Sequence, residues 1–252
     1  MPNPRLMLAT GNAGKVREIK AILGDAGWAI LTPAEVGIAL APVAEGGRSY
    51  IENAISKAVA AARVSGLPAL ADDSGIEVDA LDGQPGVTSA RYGGPSMRND
   101  HDRNALILRR LDGVPASKRT ARFRAVVALV LPGGRVFTRE GVVEGRIALA
   151  PQGANGFGYD PVFLTSDGRS MAEIGDEKDR ISHRALALAA LRPLLEELRT
   201  GGHSGSESET KEPGQRRLVA LVPGAALEDE SVLQAVYEAV LEAISDEADP
   251  SD

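Results

Sequence analysis

The chain has 252 residues, with 28 Lys+Arg against 35 Asp+Glu and no cysteine. That is long enough to bury a sizeable core without disulfide or metal staples, and it rules out thiolate metal sites and thiol nucleophiles. Residues 201–252 hold 12 Asp/Glu against 3 Lys/Arg, so the net charge of −7 resides in this tail and residues 1–200 carry about +2. A nearly neutral body lacks the broad basic face that grips nucleic-acid backbones, so the pattern predicts no nucleic-acid partner. No apolar run approaches a bilayer span, and the start "MPNPRLMLAT" lacks the pattern of a signal peptide. The expectation is a cytoplasmic protein with no membrane partner.

In chain order, Arg5 to Ala9 is a short apolar run that ends at a Gly-containing turn. Val16, Ile19, Ile22 and Leu23 then recur at helical spacing, giving strand, turn, helix. Trp28 to Leu31 reads as a second strand, followed by an irregular stretch. Ser49 and Glu52 stand at capping-box spacing before a helix that runs on Ile51, Ala54, Ile55, Ala58, Val59 and Ala62 and stops at Gly66. "LPALADDSGIEVDAL" reads as a short strand, a carboxylate-bearing turn and a second short strand. Asn99 to Leu111 suits another helix.

"ARFRAVVALV" and "RVFTREGVVEGRI" form an antiparallel hairpin turning at Pro132 to Gly134. Ser182 to Arg199 is a helix with an Ala/Leu-rich face, closed by Gly201 and Gly202. Helices alternating with strands, plus a long hairpin, predict an α/β protein with a mixed sheet in residues 1–200. Residues 201–217 are Gly/Ser-rich and polar, which predicts a flexible linker. Residues 218–252 form an acidic C-terminal extension in which "RRLVALVPG" could make a strand and Glu228 to Ile244 a helix, or a tail with only transient helix.

Four segments could carry chemistry. In "TGNAGK", Gly11 is only three residues before Gly14, and Lys15 is followed by Val16, so this is not a Walker P-loop. Close backbone approach at two glycines, a helix N-terminus and the Lys15 charge still allow anion binding; taken alone, the segment is equally a helix start with Asn12 as a turn residue. In "ADDSG", Asp72 and Asp73 at the mouth of a strand suit oxygen ligation of Mg²⁺, or are ordinary turn residues. Glu45, in a Gly-rich loop, could be a further ligand. "GANGFGYDP" offers close backbone approach and an exposed ring for stacking on a base, or else packs Phe157 and Tyr159 on the core. In "DEKDRISHRAL", Ser182 is an N-cap, which puts His183 and Arg184 in a first turn where the helix dipole disfavours cations unless something anionic lies near.

Together with "IENA" and "PGVTSARY", these segments occur in an order that resembles the inosine triphosphate pyrophosphatase family, also called non-canonical purine NTP pyrophosphatases or XTP/dITP diphosphatases. The resemblance spans about Leu6 to Leu198. It implies an elongated mixed sheet whose flanking helices form two lobes around a nucleotide-binding cleft, a homodimer, and hydrolysis of ITP, dITP or XTP between the α and β phosphates to the monophosphate and pyrophosphate.

It further implies that Thr10, Gly11, Asn12, Ala13, Gly14 and Lys15 take the substrate together with Ser74. Asp73 would accept the proton of the attacking water. Glu45 and Asp73, supported by Asp72, would hold Mg²⁺. Phe157, Gly158, Tyr159, Asp160, Lys178, His183 and Arg184 would recognise the base. Alternatives of other kinds are a nucleotide sensor without turnover and a pyrophosphatase for dUTP or methylated pyrimidine triphosphates. The resemblance does not extend to residues 201–252.

Overall fold

A computed structural model describes residues 2–40, 49–201 and 219–221. Glu45, the linker beyond Gly201 and the expected helix from Glu228 to Ile244 lie outside the described residues. One mixed sheet organises the chain in the order β2-β1-β3-β4-β5-β6, with β7 also beside β5. The strands are β1 (Arg5–Leu8), β2 (Ala29–Leu31), β3 (Ala69–Val78), β4 (Thr120–Val130), β5 (Arg135–Ile147), β6 (Phe163–Leu164) and β7 (Val219–Leu221). β1 runs parallel to β2 and β3, and all other pairings are antiparallel. The helices are α1 (Ala13–Leu23), α2 (Tyr50–Ser65), α3 (Asp100–Arg110), α4 (Lys178–Ile181) and α5 (His183–Thr200).

Local chemistry sets most element ends. The Asn12 side chain accepts from Lys15 N and starts α1 three residues before the first periodic apolar residue. Ser49 and Glu52 form the reciprocal capping box of α2, and Gly66 closes that helix in the left-handed conformation. Ser182 caps α5 by accepting from Ala185 N, and Gly201 ends it at φ +71°. The β4–β5 connection is tied by Leu131 N–H to Arg135 O and Gly134 N–H to Leu131 O. β7 lies within the stretch read as a strand of the extension, and its Val219 to Leu221 face Phe137 to Arg135 of β5.

One expectation fails: "ADDSG" is not a turn. β3 passes through it unbroken for ten residues, paired with β4 from Ala69↔Val130 to Val78↔Ala121. Asp-Asp-Ser-Gly carries turn propensity, but a full antiparallel partner and cations on both sides outweigh that local preference.

The apolar residues gather at the two ends of the long strands. At one end, Met7, Ala69, Ala71, Val126 and Ala128 pack against Ala54, Ile55 and Ala58 of α2 on one face. On the opposite face Leu6, Leu8, Leu70, Val127 and Leu129 pack against α1 and the Leu188–Leu191–Leu195 stripe of α5. At the other end, Ile76, Val78, Phe123 and Ile147 join Ile107 and Leu111 of α3 and the Tyr159–Phe163 segment. The middle of β3 spans the two regions. β1 pairs only as far as Leu8↔Leu70, with Ala9 N–H to Leu70 O at 2.8 Å as the last bond, so β3 has no β1 neighbour from Ala71 onward. The cleft opens along that edge.

Candidate active site

The cleft has a volume of about 1170 Å³. Thr10, Gly11, Asn12, Ala13, Lys15, Asp72, Asp73, Ser74, Phe157, Gly158, Tyr159, Asp160, Lys178, His183 and Arg184 all line it. Of the site residues expected from sequence, Gly14 lies just behind the wall and Glu45 is outside the described residues.

The first wall is the N-terminus of α1. Asn12 N–H donates to Thr10 Oγ1 at 3.2 Å and Lys15 N–H to Asn12 Oδ1 at 3.1 Å, which shapes the turn and satisfies one first-turn amide. Helix geometry leaves the amides of Ala13 and Gly14 without intrahelical acceptors, beside the positive end of the helix dipole. Lys15 reaches across to Asp72, pairing with its carboxylate and donating to its carbonyl at 3.3 Å. Burial pulls the Lys15 pKa below the ordinary lysine value despite the attraction of Asp72.

On β3, successive side chains point to opposite faces. Asp72 points toward α1 and α5, where Arg184 Nε lies 3.2 Å from Oδ2 and Nη2 lies 3.3 Å from Oδ1. Burial alone would favour its neutral form, but Arg184 and Lys15 hold its pKa well below the usual carboxylate range. Asp73 points toward α2, where Lys57 Nζ stands 2.7 Å from Oδ1 and Asn53 Nδ2 donates to Oδ2 at 3.1 Å. Ser74 returns to the Asp72 side, and its Oγ accepts from Arg184 Nη2 at 2.9 Å.

The opposite wall is the Gly153–Asp160 loop with α4 and the start of α5. Phe157 is half-buried, with Lys178 Nζ 4.7 Å and Arg184 Cζ 5.7 Å from its ring centroid. A Cβ on Gly14 would lie 2.6 Å from that ring, so the α1 turn and this loop are in direct contact. Tyr159 does not offer a free ring: it is 5% exposed, packs with the α3 cluster and donates its hydroxyl to Ser89 O at 2.7 Å. Asp160 accepts from Phe157 N–H at 2.8 Å and pairs with Lys178. Burial raises its pKa, an effect that Lys178 opposes.

The cations in the first turns of α4 and α5 are accounted for by a residue that the motifs do not single out. Glu18 of α1, 4% exposed, pairs with Lys178 Nζ at 2.7 Å through Oε1 and with Arg184 Nη1 through Oε2. His183 stacks on Phe123, with centroids 4.7 Å apart and planes 12° apart. Burial, reinforced by the neighbouring Arg184 charge, pushes its pKa well below the usual histidine value, so it sits at the helix start as a neutral ring.

Lys57 and Glu18 lie outside the motifs, and Asn53 stands within "IENA" without a role that the motif alone reveals. The available signal was placement: Asn53 and Lys57 are four apart amid the alanines of α2, on the face turned to β3, and Glu18 is a lone acid on the buried stripe of α1. Chemically, the cleft joins an anion-binding helix end, a carboxylate held between an ammonium and an amide, and an aromatic ring backed by two cations.

The model of the Ham1 family matches residues 6–194. A dITP/XTP pyrophosphatase of Symbiobacterium thermophilum is 50% identical over 206 residues, covering 78% of this chain and 100% of that protein. One of Thermus thermophilus is 49% identical, covering 78% and 93%. A solved HAM1 protein from Coxiella burnetii superposes with a TM-score of 0.68 at 39% identity, covering 77% of this chain and 99% of that one. A match over three quarters of the sequence, together with the shared mixed sheet and flanking helices, shows that the chain belongs to the Ham1 family.

Proposed function

We propose that the protein is an XTP/dITP diphosphatase that hydrolyses ITP, dITP and XTP between the α and β phosphates, giving the monophosphate and pyrophosphate. The observation that carries this reading is that a single cleft holds the α1 N-terminus with Lys15, the Asp73–Lys57–Asn53 cluster and the cation-backed Phe157 ring. The names of the relatives support the substrate class.

In this reading the amides of α1 and Lys15 take the phosphate chain, with Ser74 beside it. Lys15 leaves Asp72 for phosphate, while Arg184 keeps Asp72 charged and in place. Asp73 accepts the proton of the attacking water, and Lys57 and Asn53 fix the direction of its carboxylate. The base lies at Phe157, where Gly158, Tyr159, Asp160, Lys178, His183 and Arg184 shape its pocket. A 6-oxo group can accept from a buried donor there, whereas the 6-amino group of adenine leaves the donor unpaired at a cost of about 1–3 kcal/mol.

The donor set suits Mg²⁺. The Asp73 carboxylate lines the cleft, and Mg²⁺ characteristically takes one or two carboxylates along with substrate phosphates. Asp73 and Glu45 are the residues that would hold it. Asp72, already engaged by two cations, supports them from behind. When bound, the ion supplies charge neutralisation on the phosphates and a more acidic water. The resemblance adds a homodimer to this reading.

The test is a panel of nucleoside triphosphates with and without Mg²⁺, with products identified. Monophosphate and pyrophosphate from ITP and XTP but not ATP are expected. Diphosphate and phosphate refute the bond assignment, and binding without turnover makes the protein a sensor.

A further inference from the structure

The loop that bears Phe157 is gripped by α3, whose Asp100 and Arg103 stand at the margin of the same cleft. Gly158 N–H donates to Asp100 Oδ2 at 2.7 Å, and Gly158 O accepts from Asn104 Nδ2 at 3.0 Å. Asp100 and Asn104 are four apart, so they stand one turn above another on the same face of α3. Asn104 is 5% exposed, and the Asp100 carboxylate is steadied in turn by Arg103. Turning the Asn104 amide over would set its oxygen against a carbonyl, so chemistry fixes its orientation.

The grip falls on the residue between the two rings. Tyr159 on one side is anchored to Ser89, while Phe157 on the other side lines the cleft. Gly153, Gly156 and Gly158 all have positive φ. A loop so rich in glycine has little intrinsic preference for one conformation, so its order rests on added contacts: Asp160 holds Phe157 N–H from within and α3 holds Gly158 from outside.

We propose that Asp100 and Asn104 are positioning residues for base recognition: by holding both backbone groups of Gly158 they keep the Phe157 ring in front of Lys178 and Arg184. This rests on the function proposed above. Apparent affinity scales with the fraction of protein whose loop is competent, so a tenfold fall in that fraction gives about a tenfold rise in KM. Saturating substrate recruits the loop, and kcat is preserved. ATP, which gains little from the base pocket, is affected less, so discrimination falls.

The experiment is steady-state kinetics of the full chain with ITP and ATP, alongside calorimetric binding of ITP in EDTA and thermal melting. Asn104→Asp and Asp100→Ala are expected to raise the ITP KM about tenfold with kcat within about twofold, and to lower the ITP-to-ATP ratio of kcat/KM by a similar factor. Asp100→Asn retains an acceptor for Gly158 N–H and is expected to recover most of the ITP affinity. If Asn104→Asp does not fold, Asn104→Ala removes the same donor without adding charge.

Folded variants with unchanged ITP affinity overturn the proposal, as does a fall in kcat without a rise in KM. A wild-type protein that binds ITP but does not hydrolyse it overturns the functional reading instead, and the grip on Gly158 is then judged from the binding constants. A wild-type protein that does not bind ITP overturns both.

Discussion

Lys57 Nζ stands 2.7 Å from Asp73 Oδ1, across the interface between α2 and the middle of β3. With Asn53 on the other oxygen, the carboxylate is fixed in direction on the edge of the cleft. Asp73→Asn keeps the shape and the packing but removes the proton acceptor. Turnover of ITP is expected to fall by about 10²–10⁴, the scale of general-base catalysis, in a protein that still folds but melts lower because Lys57 loses its counter-charge. Lys57→Met is expected to lower kcat more than it changes KM. Near-normal turnover by Asp73→Asn would reject its role as base.

Glu18 is the counter-charge of two buried cations from different helices. Glu18→Gln is close to isosteric but leaves Lys178 with Asp160 alone and Arg184 with Asp72 alone. Breaking a buried pair by neutralising one partner costs about 3–5 kcal/mol, and the remaining partners place this variant at the lower end. Urea unfolding checks the value, and a change under about 1 kcal/mol would show that Glu18 is dispensable to the network.

Gly14 has no room for a methyl group, because its Cβ would meet the Phe157 ring at 2.6 Å. Gly14→Ala is expected to destabilise by about 1–3 kcal/mol and to raise the KM for ITP by displacing the ring. In the double variant Gly14→Ala/Phe157→Leu the smaller side chain relieves the clash, so the stability losses should not add. Strict additivity in the double-mutant cycle would argue against the contact.

His183 is held neutral by burial and by Arg184, so its folded pKa lies below its unfolded value. Between those two values the unfolded chain binds the extra proton. His183 therefore contributes a stability that is complete above about pH 6.5 and is lost as pH falls from there toward the folded pKa. Melting temperature should drop on acidification from pH 7.5 to about 5.5, and less steeply in His183→Gln. Equal slopes in the two proteins would mean that other groups carry the effect.

The extension lies beyond the matched residues 6–194, and its described strand pairs with β5 at Arg135 to Phe137. Truncation after Thr200 is expected to leave kcat and KM for ITP within about twofold, since none of the described lining residues of the cleft is removed. Loss of activity in a folded truncated protein would give the extension a part in catalysis.

Chain-local chemistry was the most legible layer of this sequence. Ser49 with Glu52, Ser182 and the terminal Gly66 and Gly201 each act within one helical turn, and all four stand where the spacing predicts. β3 was misread because what keeps Asp72 and Asp73 in a strand comes from Val126 and Val127 of β4 and from cations 16 and 112 residues away. For the same reason the six ordered motifs located the walls of the cleft but, apart from Asn53 in "IENA", not the groups behind them. Glu18, Asn53, Lys57 and Asn104 each have an ordinary helical setting in one dimension, and their role emerges only from what faces them.

Two positions of α1, three residues apart, serve different walls of the cleft. Lys15 in its first turn pairs with Asp72, and Glu18 holds the cations behind Phe157. An α-helix rises about 1.5 Å per residue and does not stretch, so these stations are about 4.5 Å apart along its axis and cannot drift. α1 is therefore a ruler built into the site. In the proposed function a nucleotide seated against Phe157 would bring its phosphates to a fixed mark, and a ligand with a shorter chain could not slide to satisfy both stations at once.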